Sequence, residues 1–122
     1  MLSHVKFVDL PVHDQDRAIA FYTGNLGMVV AEDSPYQEDW RWVQLAIPGA
    51  ATQILLFRRG TGASGASPAL LLIPNDLDGA CAQLRERGVA LTQEPTEAPW
   101  NPGERYALFK DSEENTILLG SS

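Results

Sequence analysis

Two helical patterns of matching design lie 61 residues apart (88 − 27) in a chain of 122 residues. The first opens at Asp14 and closes at Gly27; the second opens at Asp76 and closes at Gly88. An Asp ahead of the first turn accepts from free backbone N–H groups and suits the positive end of the helix dipole. A Gly just past the last turn takes the left-handed backbone that a side chain resists. In each half one apolar strand-like run precedes the helix and three follow it, so both halves read β-α-β-β-β. A chain this short is one compact domain or two half-size modules sharing a core. The repeated order, carried by pattern rather than by identical letters, selects the second arrangement.

The expected elements follow from periodicity. Residues 5–12 form a strand, with Pro11 near its end, where a ladder donor can be missing. Ala18, Ile19, Phe21, Tyr22 and Leu26 give the first helix its apolar face. Residues 28–31 form a short strand, 32–39 a polar loop, 40–47 a third strand and 52–57 a fourth. The stretch 60–67 is composed of Gly, Ala, Ser and Thr, as flexible linkers are. After it come a strand at 69–73, a helix with Leu77, Ala80, Cys81 and Leu84 on one face, and a short strand at 89–92. A Pro-rich loop at 94–103 carries Trp100. Two last strands, 105–109 and 116–119, are joined by a tight polar turn at 111–115. The expected organisation is one domain over 1–122: module 1 at about 1–59, linker 60–68, module 2 at about 69–122. The expected fold class is α+β, two βαβββ modules forming a curved mixed sheet with a concave cup, and such a cup is a natural ligand site.

Charge and composition exclude several functions. A formal net charge of −7 argues against nucleic acid, whose phosphates need clustered Lys and Arg. The same balance tolerates or attracts a cationic ligand. One cysteine, Cys81, rules out an internal disulfide, and its place in the helical pattern reads as a small buried hydrophobe without a base to activate it. No leader segment and no run long enough to span a bilayer is evident, so the expected location is the cytoplasm, with no membrane partner. No nucleophile elbow, phosphate loop or dinucleotide fingerprint is present.

The chain resembles the vicinal-oxygen-chelate superfamily, which comprises glyoxalases, bleomycin resistance proteins and extradiol dioxygenases. The likeness is carried by residues 10–22, which include His13, Asp14, Arg17, Phe21 and Tyr22, and by Leu26, Gly27 and Met28. Arg41 and Trp42, residues 84–89, residues 92–100 and the 109–115 turn are also similar, with Ser112 and Glu114 departing from the family's usual hairpin. The resemblance implies a divalent ion in the cup of the metal-dependent members, held by His, Gln or Glu from the first and fourth strands of each module. By counting, those positions fall on Phe7, Leu55, Ala69 and Leu118, and none bears a donor atom. A shift of one residue brings Lys6, Val8, Ile54, Leu56, Pro68, Leu70, Ile117 or Leu119 instead, which rescues nothing. His4 sits near the terminus and His13 at a corner; both read as solvated or loop-bonded. The expectation is therefore no metal and no cofactor. Metal-dependent glyoxalase or dioxygenase chemistry returns only if the strand registers are wrong.

Strand alternation aims Phe7, Asp9, Gln53, Leu55 and Phe57 into the cup from module 1, and Leu71, Ile73 and Thr116 from module 2. With Trp42, Trp100, Tyr106 and Leu118, these give the expected ligand-binding set: Phe7, Asp9, Trp42, Gln53, Leu55, Phe57, Trp100, Tyr106 and Leu118. Trp100 is the leading stacking candidate because it stands in a loop. Asp9 is the leading buried carboxylate, either a general base or a group satisfied by Arg41 or a backbone amide. Two functions follow. One is a metal-free protein that binds a small aromatic or amphipathic molecule, in the manner of drug sequestration. The other is a metal-independent isomerase or lyase using Asp9 or Glu97 as base. A purely structural module is the third reading, if side chains fill the cup. A homodimer is expected from unpaired sheet edges and from Trp40 and Trp42 placed as an exposed interface.

Overall fold

A computed structural model describes residues 1–60 and 67–121. The chain forms two compact units, Met1–Gly62 and Ala63–Ser122. Most of the linker expected at 60–68 lies outside the described residues. The order of elements is β1 (Phe7–Val12), α1 (Gln15–Leu26), β2 (Val29–Gln37), β3 (Trp40–Ala46), β4 (Gln53–Arg58), then β5 (Leu70–Leu72), α2 (Leu77–Glu86), β6 (Leu91–Glu97), β7 (Arg105–Lys110) and β8 (Thr116–Gly120). This is the α+β class with two βαβββ modules. Each unit holds one mixed four-stranded sheet, ordered β1-β4-β3-β2 in the first and β5-β8-β7-β6 in the second. In each, the first and last strands of the module run parallel and the remaining pairs antiparallel.

The helix boundaries are those the sequence implies. Asp14 has extended backbone and its carboxylate accepts from Arg17 N–H, while Gly27 closes α1 at φ 74°. Gly88 follows α2 at φ 83°. Asp76 occupies the equivalent N-cap place, but its carboxylate makes no capping bond. That corrects the expected cap at the level of the side chain.

Two expected loops are strands. Residues 32–37 belong to β2 and 94–97 to β6. Both are edge strands, paired on one side only, and their register slips beside a proline: between Pro35 and Gln37 in β2, and between Gln93 and Thr96, around Pro95, in β6. At an edge the missing N–H can face solvent and a bulge absorbs the irregularity, so Pro and runs of polar residues are tolerated there. Pro11 also lies on an edge strand.

Each helix covers one face of its own sheet. In unit 1 that face carries Leu10, Val12, Val43, Leu45, Ile54 and Leu56, all buried, with Ala18 and Tyr22 of α1. In unit 2 it carries Leu70, Ala107, Phe109, Ile117 and Leu119, with Leu77, Cys81 and Leu84 of α2. Residues of opposite parity are left to the other face, where the site candidates lie.

Candidate functional site

The register of unit 1 collects six of the expected binding residues on the sheet face away from α1. Phe7 pairs with Gln53 and Asp9 with Leu55 across β1 and β4; Gln44 pairs with Leu55 across β3 and β4. Directly opposed residues share a face and alternate residues repeat it. Phe7, Asp9, Gln53, Leu55, Phe57 and Trp42 therefore stand together, with Gln44 among them.

Trp42 is the hub of this face. Its ring meets Phe7 edge-on at 5.9 Å between centroids and Tyr36 at 5.2 Å. Its indole N–H donates to Gln44 Oε1 at 2.7 Å, and Gln44 Nε2 donates to Gln53 Oε1 at 2.6 Å. Aromatic edges packed this way fix the ring plane, and the satisfied N–H removes the cost of half-burying it.

Beside Trp42, the β3–β4 pairing ends at Gln44–Leu55, and past it the gap opens a hollow of about 290 Å³. Asp9, Tyr36, Trp40, Trp42, Leu55 and Phe57 are among its walls. Where the ladder is lost, the Leu56 carbonyl accepts from the Trp40 indole N–H at 3.3 Å instead. The Arg58 guanidinium lies 4.7 Å from the Trp40 ring centroid and pairs with Asp39 at 2.8 Å. Arg41 points to the opposite face. It reaches Asp16 at 2.8 Å and Asp33 at 3.0 Å, and the bond to Asp16, then that to Asp33, hold its guanidinium protonated above the usual range. Gln15 of α1 clamps the Arg41 backbone through both ends of its side-chain amide, Nε2 donating to the Arg41 carbonyl and Oε1 accepting from the Arg41 N–H. A second hollow of about 440 Å³, lined by Gln15, Asp33, Asp39 and Arg41, lies along the β2–β3 hairpin. The Arg41 and Arg58 ion pairs occupy its aspartates, and it holds no stacked aromatic pair.

Asp9 differs from expectation in two respects. It is exposed rather than buried, and Arg41 is turned away from it. Among the described residues the Asp9 carboxylate has no hydrogen-bond or ion-pair partner. Trp40 and Trp42, expected as an exposed interface, are half-buried and partnered within unit 1. Sequence reasoning missed Tyr36, Trp40 and Gln44 as members of the site. Alternation from Trp42 reaches Gln44 and Trp40, whereas Tyr36 was hidden by reading β2 as a loop.

In unit 2, Trp100 and Tyr106 come together at 4.9 Å between ring centroids, and Trp100 remains 57% exposed. Tyr106 pairs with Gly120, and Leu108 with Leu118, so Tyr106 and Leu118 share the face away from α2. Leu71 and Ile73 are exposed on it, their side chains close to Gly120. Glu97 pairs with Arg105, whose side chain reaches Asp78 of α2 at 2.9 Å. Glu97 thus stands on the α2 side, away from Trp100 and Tyr106.

The four positions where the superfamily resemblance would put metal ligands are Phe7, Leu55, Ala69 and Leu118, whose side chains offer no electron pair. Among the described residues no group of three or more His, Cys, Asp or Glu is placed to hold an ion. The donor set does not fit a divalent metal. His4 is exposed beside Ser3, and His13 is exposed at its corner. Burial pushes the Cys81 thiol up from its ordinary value, which keeps it protonated and a poor nucleophile. The native protein should not react with a thiol reagent such as dithionitrobenzoate over minutes, and should react fully in denaturant. Rapid native labelling would contradict the burial. Among the described residues no helix is long and apolar enough to cross a membrane.

Comparison with known proteins agrees with this architecture. Residues 2–119 match the family described as the Glyoxalase/Bleomycin resistance protein/Dioxygenase superfamily. The Bacillus subtilis (strain 168) protein YurT is 33% identical, covering 88% of this chain and 91% of its own. The structure of TnmS3, an antibiotic binding protein from Streptomyces sp. CB03234, is similar with a TM-score of 0.82 at 37% identity, covering 98% of this chain and 96% of that one. A superfamily member from Sphaerobacter thermophilus DSM 20745 is similar with a TM-score of 0.86 at 31% identity, covering 99% and 98%. The chain belongs to the glyoxalase/bleomycin resistance protein/dioxygenase superfamily.

Proposed function

We propose that this protein is a metal-free binder of a small aromatic or amphipathic molecule, which it sequesters in the cytoplasm. The observation that carries the reading is the Trp42 platform. One indole is held by Phe7 and Tyr36, has its N–H satisfied, and forms a wall of a hollow large enough for a fused-ring ligand. A stacking surface fixed before binding costs little to order on binding. The charges around the hollow favour a cation: Arg58 is taken by Asp39 and Arg41 by Asp16 and Asp33, while Asp9 has no partner among the described residues. The similarity to an antibiotic binding protein supports the same reading.

The expected ligand residues remain Phe7, Asp9, Trp42, Gln53, Leu55 and Phe57 in unit 1, and Trp100, Tyr106 and Leu118 in unit 2. Titration with 9-aminoacridine, a planar cation, should quench tryptophan fluorescence to saturation, and Asp9→Asn should weaken binding by roughly threefold to tenfold, as loss of one exposed charge partner would. No quenching at any concentration would remove the binding reading. The homodimer belongs to the same proposal. It now rests on the exposed Val29, Val30, Leu71 and Ile73 rather than on Trp40 and Trp42. Light scattering should give about twice the 13.3 kDa chain mass; a mass equal to one chain would reject it.

A further inference from the structure

We infer that Gln53 reads a hydrogen-bond acceptor on the ligand, a carbonyl oxygen conjugated to its ring system, and that Trp42 dictates this choice from two residues away in a hydrogen-bonded relay. The inference rests on the binding reading above and extends it to ligand class.

The argument begins with what each group can do. Indole N–H only donates, whereas a Gln amide has one accepting end and one donating end. Trp42 donates to Gln44, so Gln44 must turn its Oε1 toward Trp42 and its Nε2 away. Gln44 Nε2 then donates, so Gln53 must turn its Oε1 toward Gln44. That leaves Gln53 Nε2 as the outward end, a donor with no partner among the described residues. Amide orientation, ordinarily ambiguous, is fixed here by a residue that has no acceptor to offer. Gln44 is 8% exposed, so a reversed chain would leave its Nε2 against the indole N–H with little water to separate two donors. The same sheet face carries Phe7 opposite Gln53 and Leu55 two residues on, apolar ground for a flat ring system beside the donor. Gln53 is not itself a wall of the hollow, but it lies on the same face as Leu55, two residues along β4, and is tied to Trp42 through Gln44. A ligand resting on Leu55 and Trp42 that extends beyond the hollow along β4 therefore presents an edge to this donor. An oxygen there gains a bond, and a methylene leaves the donor covered and unpaired.

A matched probe pair isolates that edge: 9-fluorenone and fluorene share a ring body and differ by a carbonyl oxygen in place of two hydrogens. Each is titrated as a competitor of bound 9-aminoacridine, against native protein, Gln53→Leu and Trp42→Phe. The native protein should prefer the ketone by roughly tenfold, and Gln53→Leu should abolish most of that ratio, whatever it does to the two affinities together. Trp42→Phe keeps a ring but removes the donor that sets the relay, so the ketone preference should fall although Gln53 is intact. A merely structural role for Trp42 would lower both affinities equally and leave their ratio unchanged. A ketone preference that survives Gln53→Leu overturns the inference. So does displacement by neither probe while 9-aminoacridine still binds, an outcome that spares the binding reading. Failure of 9-aminoacridine itself removes both.

Discussion

Replacing Asp111 with Ala should cost about 3 kcal/mol or more of folding stability. Asp111 Oδ1 accepts from the backbone N–H of Glu113 and of Asn115, each at 2.8 Å, and Oδ2 accepts from Asn115 Nδ2 at 3.0 Å. All three residues are buried: Asp111 is 7% exposed, Asn115 4% and Glu113 0%. Truncation therefore strands buried donors, and each stranded donor costs about 1–3 kcal/mol, reduced where water can enter. The turn also needs its carboxylate conformationally, since Glu114 sits at φ 65°, a left-handed backbone that an L side chain adopts only when neighbours hold it. Asp111→Asn keeps one oxygen for the two backbone donors and sets an NH2 against Asn115, so its cost should be smaller, about 1–2 kcal/mol. Urea unfolding should show both as midpoint shifts at constant slope. A loss below about 1 kcal/mol for Asp111→Ala would mean the turn is held by other contacts. The consequence reaches the ligand face, because this turn sets the β7–β8 register that places Tyr106 and Leu118 on one side of the sheet.

The modular order was legible because it depends on few, strongly signalled residues: Asp14 and Gly27 around α1, and the equivalent Asp76 and Gly88 around α2. The pairing of Phe7 and Asp9 with Gln53, Leu55 and Phe57 on one face was legible for a similar reason, since side-chain alternation in a strand has a period of two and admits no intermediate answer. What escaped was at the edges. β2 and β6 bury little, so their residues carry no apolar alternation, and Pro35 and Pro95 signal a break although the strand continues past a bulge. Misreading β2 removed Tyr36 from view, and with it the second aromatic partner of Trp42. The surroundings of Asp9 and of the two β3 tryptophans could not be read from one strand alone. They depend on the β3–β4 register, which decides that Arg41 faces α1 and Trp42 faces away.

Trp42→Ala should be the most damaging substitution for ligand binding. It removes the ring that contacts both Phe7 and Tyr36, a wall of the hollow, and the only donor that Gln44 Oε1 has in the relay. A central aromatic anchor of this kind is worth about 2–3 kcal/mol, so affinity for 9-aminoacridine should fall roughly 30-fold to 150-fold. Stability should fall as well, by about 2–3 kcal/mol, through lost ring contacts and a buried carbonyl left unpaired. Because the substitution also alters fluorescence, calorimetry is the proper measure of affinity, and circular dichroism shows whether the variant is folded at the temperature used. Trp42→Phe separates the two causes. It retains an aromatic surface, so affinity should drop less than about fivefold, while the unpaired Gln44 oxygen still costs about 1 kcal/mol of stability. Trp100→Ala supplies the contrast from unit 2. Trp100 is exposed and packs on Tyr106, so its removal should change stability by less than about 1 kcal/mol, and any large loss of affinity there would report ligand contact rather than unfolding. If Trp42→Ala folds and binds 9-aminoacridine as the native protein does, the unit 1 face is not where the ligand rests.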